Sequence, residues 1–560
     1  MPETGKIAGS RAHTVDMQET GNERTFDYLI VGAGSAGCVL ANRLSEDGRD
    51  SVLVLEAGGR DNSVLIHMPS AFSLAMHVPR FNWGYLSEPE PGLDGRRVKQ
   101  ARGRVIGGSS AINGMVYVRG HPGDFDAWAA AGATGWSFAD VLPYFRRAET
   151  FAGGDPAYRG RTGPLHATSG GMRNPLYRAF VEAGRQAGYG LTDDPNGRQQ
   201  EGFGEMQMTV HEGHRWSAAS AYLKPALGRA NLTLETHATT LAILFEAGRA
   251  VGVEYEKAGV RHRALAQREV VLSAGPFASP QLLMLSGIGD GDHLAEFGIE
   301  VRHHLPGVGQ NLQDHLEFFL QVECTQPVSL NRQLTPWRKL LIGLNWLLFK
   351  QGLGATNHFE SGAFIRSRPD LDYADLQLHF LPGAIAYDGS SAAPDWGYQV
   401  HVGPNRPLSR GRLELRSADP REHPRLRFNY LSHEDDILAM RQALRLTREV
   451  LAQEAFAPYR GVELSPGAGV QSDDDIDAFI RAAVETAYHP CGTCRMGSKN
   501  GNPQSVVDAA GRVHGVGGLR VVDSSIMPLI TNGNINAPTI MLAEKMADHI
   551  RGRTLPFPTD

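Results

Sequence analysis

The stretch FDYLIVGAGSAGCVLANRL, residues 26–44, constrains the fold of this chain more than any other feature. It starts with a short apolar run, turns through glycines spaced G-x-G-x-x-G, and continues as a helix with small residues on its packed face. A second apolar run, SVLVLEAGG, follows and carries Glu56. Strand, helix and strand in this order form a β-α-β unit, so the sequence predicts an α/β protein with a Rossmann-like domain.

Each glycine of the turn has its own steric task. Gly32 permits the tight turn, Gly34 lets the backbone approach a pyrophosphate, and Gly37 lets the helix pack against the strand. The helix N-terminus presents free N–H groups to the phosphates. Glu56 stands 22 residues after Gly34, where a carboxylate accepts hydrogen bonds from an adenosine ribose. An acid there argues against a 2'-phosphate and leaves both NAD and FAD open.

A second glycine cluster lies in ARGRVIGGSSAINGM, residues 101–115. Neighbouring glycines and serines offer several backbone and hydroxyl donors within one turn, which suits a large anionic or heteroaromatic cofactor. A surface turn would have a similar composition. The residues that we assign to this site are Gly107, Gly108, Ser109, Ser110 and Asn113.

The bulk properties exclude several classes of protein. With 560 residues the chain exceeds one ordinary core, so we expect two domains or one large domain with an interleaved second. A net charge of -6 and a pI of 6.4 provide no basic footprint for nucleic acid. The four cysteines are too few for a disulfide scaffold and suit a reducing compartment, so we expect a cytoplasmic protein.

Two segments bear on targeting and membranes. Residues 1–24 are polar, lack the apolar run of a secretory signal, and are interpreted as a loose tail. The longest apolar run, Leu340–Phe349, is about half as long as a membrane span and has basic neighbours. Its length favours a buried or amphipathic helix, and the alternative is a shallow peripheral contact with the inner membrane.

Residues 321–469 are broken by Pro and Gly and contain alternating runs such as ADLQLHFLP and GYQVHVG, which predict an antiparallel sheet. We interpret this region as a substrate domain inserted into the nucleotide domain. The predicted bounds are 25–170, 215–320 and 485–553 for the nucleotide-binding domain, and 171–214 and 321–484 for the substrate domain. Further strands are predicted over 268–275 and 518–528, and helices over 280–286, 437–453, 474–485 and 537–551.

Motifs spread along the chain resemble those of one family. They include VLEAGG, NWGY, ARGRVIGGSSAINGMVYVRG, SAGPFASPQLLMLSGIG, LPGVGQNLQDH, YHPCGTCRMG and LRVVDSSIMPLITNGNINAPTIMLAEKMAD. In residues and order these resemble the glucose-methanol-choline (GMC) family of FAD-dependent oxidoreductases, from Phe26 to Asp548. The resemblance implies the GMC fold, FAD as cofactor and the oxidation of an alcohol.

The resemblance also implies how FAD is held. Some relatives attach FAD covalently through a histidine in the GGSS segment, where this chain has Ile112, so we expect non-covalent FAD. The additional cofactor contacts that it implies are Ser35, Ala57, Ala274, Gly275 and Asp523.

The stretch AYHPCGTCRMG contains a histidine suited to alcohol oxidation. Hydride leaves the carbinol carbon only if the hydroxyl proton also leaves, so a base must lie within hydrogen-bond reach of the oxygen. Neutral imidazole is abundant near pH 7, and once protonated it stabilises the developing alkoxide. The resemblance places the proton acceptor at His489 and a second polar residue at Asn536.

The two cysteines of the same stretch have three interpretations. A metal site needs about four ligands, and the remaining cysteines, Cys38 and Cys324, lie in unrelated segments. A C-x-x-C redox pair follows a strand and opens a helix, whereas Pro490 precedes this one. We therefore favour structural packing for Cys491 and Cys494, and no metal.

The presumed substrate domain resembles the choline-oxidising members in segments such as RFNWGYLSEPEP, LQDHLEFFLQVEC and ATNHFESGAFIRSRPD. Choline carries a permanent positive charge without an N–H, so aromatic faces and a carboxylate bind it. The resemblance places that carboxylate at Glu317. The other predicted pocket residues are Trp83, Tyr85, His358, Phe359 and Glu360.

Three hypotheses follow from the sequence. The favoured one is oxidation of choline to betaine aldehyde, with electrons passing to a quinone-type acceptor. The second is a GMC alcohol dehydrogenase that acts on a neutral aliphatic or aromatic alcohol. The third is a flavin-binding scaffold without catalysis. The sequence does not set the number of subunits.

Overall fold

The computed structural model describes residues 23–386, 391–393 and 395–555. The strands of its two large sheets are β1 (Arg24–Val31), β2 (Val52–Glu56), β3 (Gly202–Glu205), β4 (Leu232–Thr236), β5 (Ala238–Glu246), β6 (Arg249–Lys257), β7 (Val260–Leu272), β8 (Leu316–Cys324), β9 (Ser361–Ile365), β10 (Leu376–Leu381), β11 (Gly397–Pro404), β12 (Arg460–Ser465), β13 (Glu485–Thr486) and β14 (Leu519–Val521). The longer helices are α1 (Ser35–Ser45), α2 (Pro122–Ala130), α3 (Phe138–Ala148), α4 (Pro175–Gln186), α5 (Gly275–Leu285), α6 (Pro336–Phe349), α7 (Glu434–Leu451), α8 (Asp473–Ala483) and α9 (Asn536–Arg551).

Shorter elements connect these. The short helices are Val64–His67, Phe72–Ala75, Lys224–Ala226 and Gly291–Glu296. The short strands are Tyr85–Leu86, Lys99–Gln100, Val116–Tyr117, Glu149–Thr150, Leu165–His166, Thr168–Ser169, Gln207–Met208, Val210–His211, His214–Arg215, Ile288–Gly289, His303–His304, Gln310–Leu312, Gly411–Glu414 and Arg425–Arg427.

The first large sheet is mostly parallel. Its order is β4-β2-β1-β7-β6-β5, and β14 pairs with β7. β4, β2, β1, β7 and β14 run parallel, whereas β5, β6 and β7 form an antiparallel meander. Every residue of β2 is buried, as expected for a parallel strand covered on both faces. The predicted Rossmann-like domain is therefore confirmed.

The glycine turn between β1 and α1 requires glycine for steric reasons. Gly32 has φ +101°, in the region that side chains disfavour. A Cβ on Gly37 would lie 1.9 Å from the carbonyl oxygen of Gly32. The helix can approach the turn this closely only without a side chain, so the turn remains tight at the carboxyl end of β1.

The second large sheet is antiparallel. Its order is β12-β8-β11-β10-β9-β3, with β13 paired to β8. Because side chains alternate between faces, residues paired across the strands share a face, as His379 of β10 and His401 of β11 do. The helices α4 and α7 contact this sheet. The predicted antiparallel sheet in the middle of the chain is confirmed.

Several predicted boundaries differ from the elements in the structure. The strand β8 continues through residue 320, where the sequence analysis divides the two domains. α5 begins at Gly275 and not at the predicted residue 280. Pro276 is tolerated in the first turn of this helix, because the N–H that proline lacks would have no partner within the helix there. The predicted tail, residues 1–24, lies outside the described residues except for Glu23 and Arg24, and Arg24 begins β1.

The helix α6 contains the longest apolar run. The structure describes it in full, and Trp346 is its one buried side chain, so a buried helix is the wrong interpretation. Within the described ranges, no helix has the length and apolar character needed to span a bilayer. The large apolar side chains that α6 exposes are Trp337, Leu340, Leu341, Leu344, Leu347, Leu348 and Phe349.

Candidate active site

A cavity of about 680 Å³ is lined by residues of both large sheets. At one end lie Gly32, Gly34 and Glu56, from the carboxyl ends of β1 and β2. Ligands of open α/β sheets bind outside these strand ends. The second sheet contributes Glu317 and His401, among others, so the cavity extends from the glycine turn to the antiparallel sheet.

Glu56 is buried at the nucleotide end of the cavity. Its Oε2 accepts a hydrogen bond from the backbone N–H of Ala33 at 2.9 Å, and its Oε1 accepts one from Gly58 at 2.7 Å. Burial raises the pKa of this carboxyl group to about 7. Each carboxylate oxygen can accept a second hydrogen bond, so Glu56 can still receive a ribose hydroxyl.

The second glycine cluster packs against the first. A Cβ on Gly108 would lie 2.7 Å from Cα of Gly34, so the two loops touch along their backbones. The Oδ1 atom of Asn113 accepts hydrogen bonds from the backbone N–H of Met115 at 3.1 Å and from Arg215 at 2.8 Å. These two hydrogen bonds fix the orientation of the Asn113 amide. Asn113 lines the cavity, so its NH2 group is available to donate a hydrogen bond to a bound cofactor.

Most of the predicted cofactor residues line this cavity. Gly37, Gly107 and Ser110 are not among its lining residues. Gly37 instead packs against the turn at Gly32, and the Ser110 hydroxyl donates to the Gly107 carbonyl oxygen at 2.6 Å. The carboxylate of Asp523 accepts hydrogen bonds from Gly275 at 2.9 Å and from Ser279 at 2.6 Å. The predicted residues that line the cavity are Gly32, Gly34, Ser35, Glu56, Ala57, Gly108, Ser109, Asn113, Ala274, Gly275 and Asp523.

His489 lies in a loop whose backbone is firmly held. Its N–H donates to Asp314 Oδ1 at 2.8 Å. The other oxygen of Asp314 accepts from Thr486 at 2.5 Å and from Tyr430 at 2.6 Å. Tyr488, directly before His489, has φ +64°. The buried carboxylate therefore fixes the position from which the imidazole enters the cavity.

The hydrogen bonds of His489 determine its tautomer. The carbonyl oxygen of Asn405 lies 2.9 Å from His315 Nε2 and can only accept, so this nitrogen carries the hydrogen. In a neutral ring His315 Nδ1 is then an acceptor, and His489 Nδ1, at 3.0 Å, must donate to it. His489 Nε2 therefore has the unshared electron pair, and the amide nitrogen of Asn534 lies 3.1 Å away.

Burial favours the neutral form of both imidazoles. Burial, followed by electrostatic interactions with His315, Arg102 and His379, lowers the pKa of His489 well below its ordinary value. Burial also lowers the pKa of His315 to about 4. A general base requires a neutral ring with an electron pair that a substrate hydroxyl can reach, and His489 Nε2 meets this requirement once the hydroxyl replaces the Asn534 amide as its donor.

The amide beside His489 belongs to Asn534 and not to Asn536, the residue predicted from the sequence. Asn536 begins α9, and its Oδ1 accepts a hydrogen bond from Ser35 at 2.8 Å. Both residues line the cavity. The motif NIN, residues 534–536, offers two similar amides two residues apart, and only the start of α9 determines which one reaches the imidazole.

Glu317 and Phe359 lie with residues that the sequence analysis missed. His401 Nδ1 is 3.2 Å from Glu317 Oε1. The ring centroid of His401 lies 3.9 Å from that of Phe319 and 5.2 Å from that of Phe359. The runs ADLQLHFLP and GYQVHVG each contain the pattern Gln-x-His, in which the two polar residues lie on the same side of a strand. This pattern could have predicted the polar face of the sheet that includes His379 and His401.

The remaining predicted substrate residues have different positions. Trp83 and His358 line the cavity, but the ring contacts of Trp83 in the described structure are to Tyr85 and His423. Tyr85 also lines the cavity. Glu360 is absent from the described lining residues and accepts a hydrogen bond from Thr356 at 2.8 Å.

Cys491 and Cys494 are fully buried and not joined to each other. Burial raises the pKa of both thiols above the ordinary value. A thiolate is therefore disfavoured at each position, and reactive cysteines depend on the thiolate form. Their burial supports packing beneath the His489 loop.

The fold and the cavity together define an α/β protein of the dinucleotide-binding class with a second, antiparallel sheet. Family models described as GMC oxidoreductase match residues 26–317 and 407–543. The chain belongs to the GMC oxidoreductase family, which confirms the resemblance and the GMC fold.

Individual relatives agree with this assignment. The chain is 57% identical over 528 residues to an oxygen-dependent choline dehydrogenase from Brucella ovis, covering 94% of this chain and 96% of the relative. Pyridoxine 4-oxidase from Mesorbium loti matches with a TM-score of 0.85 and 32% identity, covering 94% and 100% of the two chains. An FAD-dependent oxidoreductase from Chaetomium thermophilum matches with a TM-score of 0.85 and 27% identity, covering 94% and 99%.

Proposed function

We propose that the protein is an FAD-dependent choline dehydrogenase, which oxidises choline to betaine aldehyde in the synthesis of glycine betaine. The observation that carries the proposal is the presence, in one cavity, of a neutral imidazole at His489 and a carboxylate at Glu317. The first suits an alcohol group and the second suits a cation. Relatives that match over 94% of this chain and are named oxygen-dependent choline dehydrogenases support the choice of substrate.

The cavity has donors and acceptors that fit FAD along its length. The glycine turn and Glu56 suit the pyrophosphate and ribose, and the loop that contains Gly108 and Asn113 offers further donors. When bound, FAD supplies the acceptor for the hydride that leaves the carbinol carbon. Ile112 lines the cavity at the position where some relatives have a histidine that is covalently bound to FAD. We therefore propose that this protein holds FAD non-covalently.

His489 acts as the proton acceptor in this proposal. Its Nε2 electron pair accepts the hydroxyl proton, while Nδ1 remains hydrogen-bonded to His315. The imidazolium that forms lies beside the alkoxide oxygen and stabilises its charge. In the absence of substrate the Asn534 amide donates to this electron pair at 3.1 Å. The substrate hydroxyl replaces it as the donor to Nε2, and the displaced amide can then donate to the alcohol oxygen.

Anaerobic mixing of the FAD-loaded protein with choline tests this function. We expect choline to bleach the flavin absorbance within a single turnover. Bleaching by neutral alcohols and not by choline would favour the alternative, a GMC alcohol dehydrogenase for neutral alcohols. A flavin-binding scaffold would not bleach with any alcohol.

The substitution Glu317→Gln distinguishes the two enzymes. For choline, we expect the KM to rise by about tenfold to a hundredfold, because the negative charge that attracts the quaternary ammonium group is lost. The matched control is the uncharged choline analogue in which carbon replaces nitrogen, whose KM should hardly change. An equal effect on both substrates would argue against a cation site at Glu317.

We also propose a quinone-type electron acceptor. The names of the relatives describe them as oxygen-dependent, so molecular oxygen is the competing acceptor. After anaerobic bleaching, either oxygen or a soluble quinone is admitted and the recovery of flavin absorbance is timed. Faster recovery with the quinone supports the proposal, and faster recovery with oxygen contradicts it.

A peripheral membrane contact at α6 would bring the enzyme to a membrane quinone. The helix exposes 67% of Trp337 and 71% of Leu348. From Cys324 to Phe359 the sequence has no Asp or Glu and four Lys or Arg, in a chain of net charge -6. An apolar face with basic neighbours suits the surface of an anionic bilayer. Lys339 and Ile342 of α6 also line the cavity.

Sedimentation with vesicles tests the contact. We expect the protein to pellet with phosphatidylglycerol vesicles and less with phosphatidylcholine vesicles. The double substitution Leu348→Ser and Phe349→Ser should reduce the pelleted fraction, because it removes apolar area from the interface. The control is Val462→Ser on β12, a similarly exposed apolar residue outside α6. Equal pelleting of all three proteins would contradict a contact through α6.

A further inference from the structure

Within the second sheet, a chain of hydrogen bonds leads from Gln399 through His401 to Glu317. Gln399 of β11 accepts two hydrogen bonds at Oε1, from the backbone N–H of Ile385 at 2.7 Å and from Gln321 at 2.9 Å. A backbone N–H can only donate, so the oxygen of the Gln399 amide must face Ile385. Its NH2 group therefore points to His401.

The Gln399 amide in turn determines the tautomer of His401. Gln399 Nε2 lies 2.7 Å from His401 Nε2 and donates to it, so this ring nitrogen is an acceptor without a hydrogen. The neutral ring then has its hydrogen on Nδ1, which lies 3.2 Å from Glu317 Oε1. His401 thus donates a neutral N–H to one carboxylate oxygen of Glu317.

Packing holds the imidazole in this orientation. His401 pairs with Phe319 of β8 in the register of the sheet, and the two ring centroids are 3.9 Å apart. The ring of Phe359 meets His401 edge-on, at 84° between the planes. Both phenylalanines line the cavity, as does Glu317. Two aromatic rings and the carboxylate therefore surround His401.

A neutral donor leaves the charge of Glu317 available. Within the described part of the chain, Glu317 makes its ion-pair-distance contact with His401 and none with Lys or Arg. An arginine partner would hold the carboxylate equally well but would neutralise it. A neutral N–H fixes one oxygen while the full negative charge still faces the cavity.

We propose that His401 is a positioning residue that orients Glu317 for a quaternary ammonium group. It rests on the proposed function, because it assigns the cation of choline to this site. His401 holds Oε1, so that Oε2 is left for the methyl groups of the cation, with the ring of Phe359 in the same cavity. Gln399 acts through His401, because it keeps the hydrogen on Nδ1.

Steady-state kinetics and direct binding test the role of His401. In His401→Leu we expect the KM for choline to rise about tenfold, as for the loss of a hydrogen bond to a charged group, with kcat nearly retained. The KM for the uncharged carbon analogue should not change. Tetramethylammonium, titrated against the flavin absorbance of the loaded protein, should bind about tenfold more weakly.

A conservative substitution separates positioning from general damage. In His401→Asn the side-chain amide can place an N–H near the position of Nδ1, so tetramethylammonium binding should recover most of its strength. Should His401→Leu fail to retain FAD, Gln399→Met provides the same test, since it removes the donor that fixes the ring. No recovery in His401→Asn would contradict a positioning role.

The outcomes distinguish this inference from the proposed function. If the wild-type protein binds neither choline nor tetramethylammonium, both are wrong. If it binds both, and Glu317→Gln weakens binding while His401→Leu and Gln399→Met do not, only the role of His401 is wrong. Weaker cation binding in all three variants, with unchanged affinity for the carbon analogue, supports both.

Discussion

At the scale of residues, the proposed chemistry depends on one unshared electron pair, that of His489 Nε2. A chain of partners leads from the Asn405 carbonyl through His315 to His489 and excludes the other tautomer. A base that must rotate or exchange its proton before it reacts gives a slower reaction. A chain of hydrogen bonds that keeps His489 in the reactive tautomer therefore favours catalysis. Residues that never touch a substrate thereby determine which nitrogen can accept its proton.

The two asparagines of the NIN motif, Asn534 and Asn536, should behave differently. Asn534→Ala removes the amide 3.1 Å from His489 Nε2, so we expect the rate of flavin reduction by choline to fall by about tenfold to a hundredfold. Asn536→Ala removes a hydrogen bond from Ser35 and should affect FAD retention more than this rate. Stopped-flow absorbance and the flavin content of purified protein measure the two effects. A larger rate loss in Asn536→Ala would reverse the assignment.

The pH profile should reflect the lowered pKa of His489. Protonated His489 cannot accept a proton, and burial with nearby positive charge disfavours that form. The active neutral form therefore persists to lower pH, and the acid limb should lie below the ordinary histidine pKa of about 6.5. The kcat/KM for the uncharged analogue measures this limb without involving the cation site.

The substitution Arg102→Gln provides the matching control. Arg102 contributes to lowering the pKa of His489, so its removal should move the acid limb to higher pH. A limb that does not move, or that lies above pH 6.5 in the wild type, would be inconsistent with this electrostatic environment.

At the scale of elements, two local patterns place the functional groups. The tight turn between β1 and α1 brings a helix N-terminus to the nucleotide end of the cavity. The alternation along β10 and β11 places His379 and His401 on one face of the second sheet. Both patterns follow from the periods of helix and strand, so both could be predicted from the sequence.

The glycine turn should be intolerant of a side chain. In Gly37→Ala the new Cβ would lie 1.9 Å from the Gly32 carbonyl oxygen, so we expect the purified protein to contain little FAD. Gly228→Ala is the control, because a Cβ there meets no atom within 4 Å. The ratio of flavin to protein absorbance measures the loss. Full FAD content in Gly37→Ala would show that the turn can relax.

At the scale of the whole molecule, both large sheets line one cavity, so a ligand that fills it contacts both sheets. Removal of FAD should therefore lower the temperature of unfolding. A ligand at about 1,000 times its Kd stabilises the folded state by about 4 kcal/mol. Differential scanning fluorimetry of the FAD-free protein, with FAD added back in steps, measures this. An unfolding temperature independent of FAD would contradict a position in contact with both sheets.

The sequence by itself determined features that depend on neighbours along the chain. Glycine spacing defines the β1-α1 turn, and a period of two defines the polar face of the second sheet, because backbone geometry is local. The motif around His489 predicted that residue as the base through its resemblance to a family, and the family membership was confirmed.

Only the tertiary structure decided which groups surround that base. His315 lies 174 positions from His489 in the chain, and Asn534 lies 45 positions away, yet all three join in one hydrogen-bonded chain. The choice of Asn534 over Asn536, and of His401 as the partner of Glu317, depends on where loops and strands pack against one another. Hydrogen bonds between distant residues require positions within a few tenths of an ångström, and no local pattern encodes such positions.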